Sequence, residues 1–148
     1  MQEVKRNKKA YLDYEHLETW DAGLVLTGAE VKCVKANLIN LEGSYIVIKN
    51  GEAWLLGASI PRYSKSGHSQ AAYVPDRKRK LLLNKQELHY LAGKTEVRGL
   101  TIVPLSVYIT RRLVKIKIAL AKGKRKFDKR KSIKEKEFKR RLNSRVRN

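Results

Sequence analysis

The chain has 148 residues and a formal net charge of +20, from 34 Lys and Arg against 14 Asp and Glu. That length suits one modest core with an appendage rather than two domains. The longest apolar runs fall far short of the roughly 20 residues a membrane-spanning helix needs, and the single cysteine, Cys33, excludes an internal disulfide. So large a positive balance favours a nucleic acid or an anionic membrane as partner, because neutralising phosphates with Lys and Arg releases counterions. The N-terminus has no apolar signal core, and one free cysteine fits a reducing cytoplasm.

In chain order, residues 1–9 read as a loose basic arm, and Ala10 to Trp20 mixes aromatic residues with acids in no clean period. Ala22 to Leu26 reads as a buried strand. Thr27-Gly28-Ala29-Glu30 then has the Thr-x-x-Glu form of a capping box and predicts a short helix toward Ala36. Ser44 to Lys49 and Glu52 to Leu56 flank Asn50-Gly51, a dipeptide suited to a type I′ hairpin because both central residues need positive φ. Arg62 to Ala72 reads as a flexible connection, and it leads into four consecutive cations, Arg77, Lys78, Arg79 and Lys80. After Leu81-Leu82-Leu83, Asn84 and Glu87 predict a second capped helix ending near Leu91, with Gly93 as its stop. Leu100 to Ile109 and Leu113 to Leu120 are rich in β-branched residues and predict another hairpin, with Pro104 marking an edge or a bulge. Antiparallel strands with two short helices allow a small barrel of the oligonucleotide-binding (OB) type or a sandwich.

The tail differs in kind. Between Lys122 and Asn148 there are 14 cations and three acids, so this segment carries +11 of the +20. Ser132 to Glu135 forms a further capping box, and Glu135/Lys139 and Glu137/Arg141 are favourable i,i+4 pairs. Phe138, Leu142 and Val146 make only a narrow apolar stripe. An isolated helix of that length is marginal in water, so the tail is expected to be disordered alone and helical once a polyanion cancels its charge.

Catalytic chemistry has little to stand on. His16, His68 and His89 lie far apart, none makes a metal-ligand pair with Cys33, and no Gly-rich phosphate loop occurs. Cys33 reads as a core filler, and neither a cofactor nor a metal is expected. Binding is better supported. Arg77 to Lys80 either blunt a sheet edge or contact RNA. Lys115 and Lys117 alternate with Val114, Ile116 and Ile118, so both project from one face of a strand. Tyr11, Tyr14 and Trp20 are candidates for base stacking or for the core.

Several ordered blocks carry a resemblance: Asn7 to Ala10, Asp21 to Lys32, Arg79 to Asn84, Gly99 to Leu105, and Ala121 to Lys124 followed by Asp128-Lys129-Arg130. Together they resemble the SmpB family, the SsrA-binding proteins of bacterial trans-translation. The resemblance implies a mainly β fold with short helices: a small antiparallel OB-type β-barrel over 10–121, followed by the basic tail over 122–148. It implies a cytoplasmic, non-enzymatic RNA-binding protein that holds the tRNA-like domain of tmRNA and takes it to stalled ribosomes, with no small-molecule substrate and no membrane. Tyr14, Asp21, Leu82, Asn84 and Lys115 match family positions on or supporting the RNA face, to which the cations Arg77, Lys78, Arg79 and Lys80 are added. Asp21 stands where a glutamate is usual. Gly123, Lys124, Phe127, Asp128, Lys129 and Arg130 match the junction that reaches the decoding centre in the small-subunit rRNA, before the remaining residues enter the vacant mRNA channel. Phe127 replaces a histidine or tyrosine and keeps a stacking face. The competing reading is a generic RNA-binding protein with a basic tail.

Overall fold

The computed structural model describes residues 2–63, 72–124 and Arg140. Its elements are β1 (Gln2–Arg6), α1 (Lys8–Asp13), β2 (Tyr14–Leu24), α2 (Gly28–Lys35), β3 (Tyr45–Lys49), β4 (Glu52–Leu56), β5 (Arg79–Leu82), α3 (Lys85–Thr95), β6 (Leu100–Thr110) and β7 (Leu113–Gly123). Most of the connection at 62–72, and Phe127, Asp128, Lys129 and Arg130 with the expected tail helix, lie outside the described residues.

The strands pair antiparallel throughout. Their order β6-β3-β4-β5-β2-β7 returns to β6 through the β6–β7 pairing, and β1 is added beside β6. The hydrogen-bonded order therefore closes on itself, as a small barrel requires, and closure protects edges that would otherwise invite foreign strands. The interior is filled by one apolar cluster that includes Ile46, Leu55, Leu81, Ile102, Val107, Ile116 and Ile118. Each such side chain, fully buried, contributes roughly 1.5 to 3 kcal/mol.

Local chemistry explains the elements. Thr27 Oγ1 accepts from the Glu30 N–H (3.2 Å) while Glu30 Oε1 accepts from the Thr27 N–H (2.9 Å), which starts α2. Asn84 and Glu87 do the same for α3. Asn50 (φ 54°) and Gly51 (φ 73°) form the left-handed pair expected between β3 and β4. Between β6 and β7 the same two-residue solution is built from Arg111 (φ 47°) and Arg112 (φ 73°). A left-handed non-glycine residue costs about 1 to 2 kcal/mol, so this second turn is made from unfavourable residues.

β7 shows how the outer surface is divided. Val114, Ile116 and Ile118 are buried while Leu113 and Lys117 are exposed and Lys115 is half-buried, but from Ala119 to Ala121 every residue is buried. The alternation stops because α1 covers the outside of the sheet there, and Ala10, Val103, Leu105, Ala119 and Ala121 form a second core against Tyr11 and Tyr14. One end of the sheet is thus buried on both faces. The other end leaves Asp21, Leu82 and Lys117 exposed on its outer face, with Lys115 half-buried and Tyr108 buried beside them.

Three expectations are corrected. The N-terminal arm is a strand from Gln2 to Arg6, paired with β6 and anchored at its end by Asn7 Nδ2, which donates to the carbonyls of Pro104 (2.9 Å) and Leu41 (3.3 Å). Gly93 lies inside α3 rather than stopping it, and the helix runs on to Thr95. Strand order also extends past Ala121, since Lys122 pairs with Glu15, Gly123 pairs with Tyr14, and the Lys124 N–H donates to Asp13 O at 2.8 Å. Pro104 does sit at a bulge, between it and Ser106.

Candidate nucleic-acid interface

The bare end of the sheet gathers residues that are far apart in sequence. Gly23 on β2 is in register with Leu82 on β5 and with Lys115 on β7, and Lys115 is in register with Tyr108 on β6. These positions alternate with Ala22, Leu24, Leu81 and Ile116, which point into the core, so their own direction is outward. A Cβ on Gly23 would lie 3.3 Å from Leu82 Cβ. Glycine at this position lets Leu82 lie across the gap between β5 and β7. Leu82 is 57% exposed, so its apolar surface is offered outward rather than spent on the core.

Beside this row, Asp21 pairs with Lys117. Asp21 also accepts a hydrogen bond from Tyr108, whose phenol is pushed up to about 12 by burial and by that carboxylate. Asp21 therefore braces the ring of its neighbour on the sheet. Asn84 sits just beyond Leu82, where its Oδ1 accepts from the Glu87 N–H (2.8 Å) and caps α3. The arrangement presents cations, an apolar side chain and an amide on one continuous surface, a combination suited to RNA phosphates and riboses.

The four-cation run divides, and Arg79 leaves the proposed contact set. Strand alternation turns it inward, where it is 0% exposed. Its Nη2 donates to Glu30 Oε2 (2.8 Å), Tyr73 Oη (2.9 Å) and Pro75 O (2.7 Å), and its Nη1 donates to Ala58 O (2.8 Å). Arg77 binds the other oxygen of the same carboxylate through Nη2. Burial alone would push the Glu30 carboxyl up, but hydrogen bonds from Arg77, the Thr27 amide and Arg79 outweigh it and hold the group near a pKa of about 2. Lys78 and Lys80 remain outside. Lys78 Nζ lies 4.6 Å from the Trp54 ring centre, and Lys80 Nζ is 3.4 Å from Glu52 Oε1.

Tyr14 is not part of the same patch. It lies at the opposite end of β2, in register with Gly123, and lines a cleft of about 350 Å³ with Asn7, Tyr45 and Thr101. Gly123 and Lys124 therefore adjoin Tyr14 and Asp13. The aromatic candidates are likewise occupied: Tyr11 is covered by Arg6 and meets His16, and Trp20 packs on the core beside Tyr90. Sequence reasoning missed Gly23 and Tyr108, which become visible only when strand register is known.

Among the described residues no group of three or more His, Cys, Asp and Glu side chains is placed to hold a metal, and no helix is long and apolar enough to cross a membrane. Cys33 is buried, its thiol donating to Pro61 O at 3.3 Å; burial, and then the Glu30 charge, push its pKa up, away from nucleophilic use.

Residues 4–148 match the family model described as SmpB protein. An SsrA-binding protein from Thermosipho africanus is 46% identical over 97% of this chain and 95% of its own length. Another, from a Sulfurihydrogenibium species, is 49% identical over 94% of this chain and 90% of its own. A solved chain from work described as "tmRNA-SmpB: a journey to the center of the bacterial ribosome" superposes with a TM-score of 0.69, at 42% identity, over 88% of this chain and 94% of that one. With an RNA-suited face and a family match over nearly its whole length, this chain belongs to the SmpB protein family.

Proposed function

We propose that this chain is a non-enzymatic, cytoplasmic RNA-binding protein that binds the tRNA-like domain of SsrA RNA (tmRNA) and delivers it to stalled ribosomes for trans-translation. The face formed by Asp21, Leu82, Asn84 and Lys115, flanked by Lys78 and Lys80, holds the RNA. The tail, beginning at Gly123 and Lys124 and continuing through Phe127, Asp128, Lys129 and Arg130, probes the decoding centre and enters the mRNA channel only when that channel is vacant. Tyr14 supports the tail's point of departure.

The observation that carries this reading is a separation. Eight residue steps along β7, roughly 26 Å of strand, separate Lys115 on the RNA face from Gly123 at the tail's base. Binding and probing are thereby assigned to opposite ends of one rigid strand. A protein held only by phosphate attraction would need no such division.

The test is competition binding at fixed salt between a folded tRNA-like RNA and an unstructured RNA of equal length. The expected preference for the folded RNA is at least tenfold. Equal affinities, governed only by length and salt, would instead identify a generic phosphate binder.

A further inference from the structure

Among the described residues, two tight hairpins hold both central residues at positive φ, and they use different residues. Between β3 and β4 the left-handed positions are filled by Asn50 and Gly51, the pair that meets least steric resistance. Between β6 and β7 they are filled by Arg111 and Arg112, with Leu113 beside them 60% exposed. Both arginines are exposed, and neither forms a hydrogen bond or ion pair through its side chain with any described residue. Among the described residues, no side-chain hydrogen bond or ion pair offsets the strained conformation. Strain of this kind, held without a structural return, points to a role outside the fold.

The position of the tip suggests that role. Arg112 is three residues from Lys115, at the bare end of the sheet where Leu82 and Gly23 lie, and far from the tail's base. We propose that Arg111 and Arg112 form a phosphate-binding tip that extends the RNA face beyond Lys115. This inference rests on the RNA-binding reading above. A rigid two-residue turn fixes where the two guanidinium groups leave the backbone, so they engage neighbouring phosphates with less ordering than a flexible loop would need.

The structure supplies its own control, because Asn-Gly is already the solution at the other hairpin. The full-length variant R111N/R112G keeps the turn and removes two charges. It is expected to melt at the same temperature as the parent or higher, while binding the folded tRNA-like RNA roughly tenfold more weakly at low salt. The slope of log affinity against log salt should shrink by roughly one to two units as two phosphate contacts are lost. R111K/R112K, which keeps the charge, should retain most of the slope. Unchanged affinity and slope in R111N/R112G, with the parent still preferring the folded RNA, would overturn the tip alone. So would loss of the slope in R111K/R112K, or a lowered melting temperature in R111N/R112G. A parent chain with no preference for the folded RNA would overturn the RNA reading and the tip with it.

Discussion

Glu30→Gln is expected to destabilise the folded chain by about 3 to 5 kcal/mol, the usual result of removing one partner from a buried charge pair. Glu30 is 1% exposed and Arg79 0%, and both carboxylate oxygens are engaged by guanidinium groups. Glutamine preserves shape but leaves Arg79 as an uncompensated charge inside the ring. The same network ties β5 and the 73–77 segment to α2, since Tyr73 Oη lies within hydrogen-bond distance of both Glu30 Oε2 (3.0 Å) and Ile60 O (2.8 Å), which share its single proton. Urea unfolding followed by circular dichroism would measure the loss; a midpoint shift equivalent to less than about 1 kcal/mol would mean that the arginines find other partners.

The pH dependence follows with a definite sign. The Glu30 carboxyl is held at about 2 in the folded chain against an ordinary value of 4.5. Its stabilisation is therefore fully present above about 4.5 and lost as the pH falls toward 2, a change on the order of 3 kcal/mol. In Glu30→Gln that part of the acid sensitivity should vanish.

The second large effect is on binding rather than folding. Leu82→Glu is expected to weaken binding of the tRNA-like RNA by roughly 30-fold or more, about 2 kcal/mol, the size of a central interface residue. Leu82 is mostly exposed, so unfolding should move by only about 0.5 kcal/mol. The loss has two parts: an apolar contact is removed, and a negative charge is placed beside Lys115 where phosphates must approach. Leu82→Ala removes only the first and should cost roughly tenfold less affinity than Leu82→Glu. If both variants bound as tightly as the parent, the bare end of the sheet would not be the RNA face.

What could be read from the sequence was mostly local. The capping boxes at Thr27 and Asn84, the Asn50-Gly51 turn and the β6–β7 hairpin stand in the structure because each is decided by residues within a few positions of one another, while the box at Ser132 lies outside the described residues. β2 escaped clear reading because a register shift between His16 and Glu18 reverses its alternation partway along. β1 has little apolar signature of its own, since it is an added strand held by β6 and by the Asn7 amide. Arg79 was misplaced for a different reason. Alternation with Leu81 already turned it inward, but the carboxylate that makes such burial tolerable lies 49 positions away, and spacing along the chain does not reveal it. The candidate site shows the same limit: Lys115 and Leu82 carry a recognisable pattern, while Gly23 matters only as the position that lies between them.

The most direct measurement compares the full chain with a chain ending at Lys124, each competing for a folded tRNA-like RNA and for an unstructured RNA of equal length. Lys124 is the proper end because β7 pairing runs to Gly123 and the Lys124 amide still bonds Asp13. Truncation should lower affinity for both RNAs by a similar, salt-dependent factor and leave the preference for the folded RNA intact. Preference that collapsed to unity in the shortened chain would place recognition in the tail and contradict the assignment of RNA holding to the sheet.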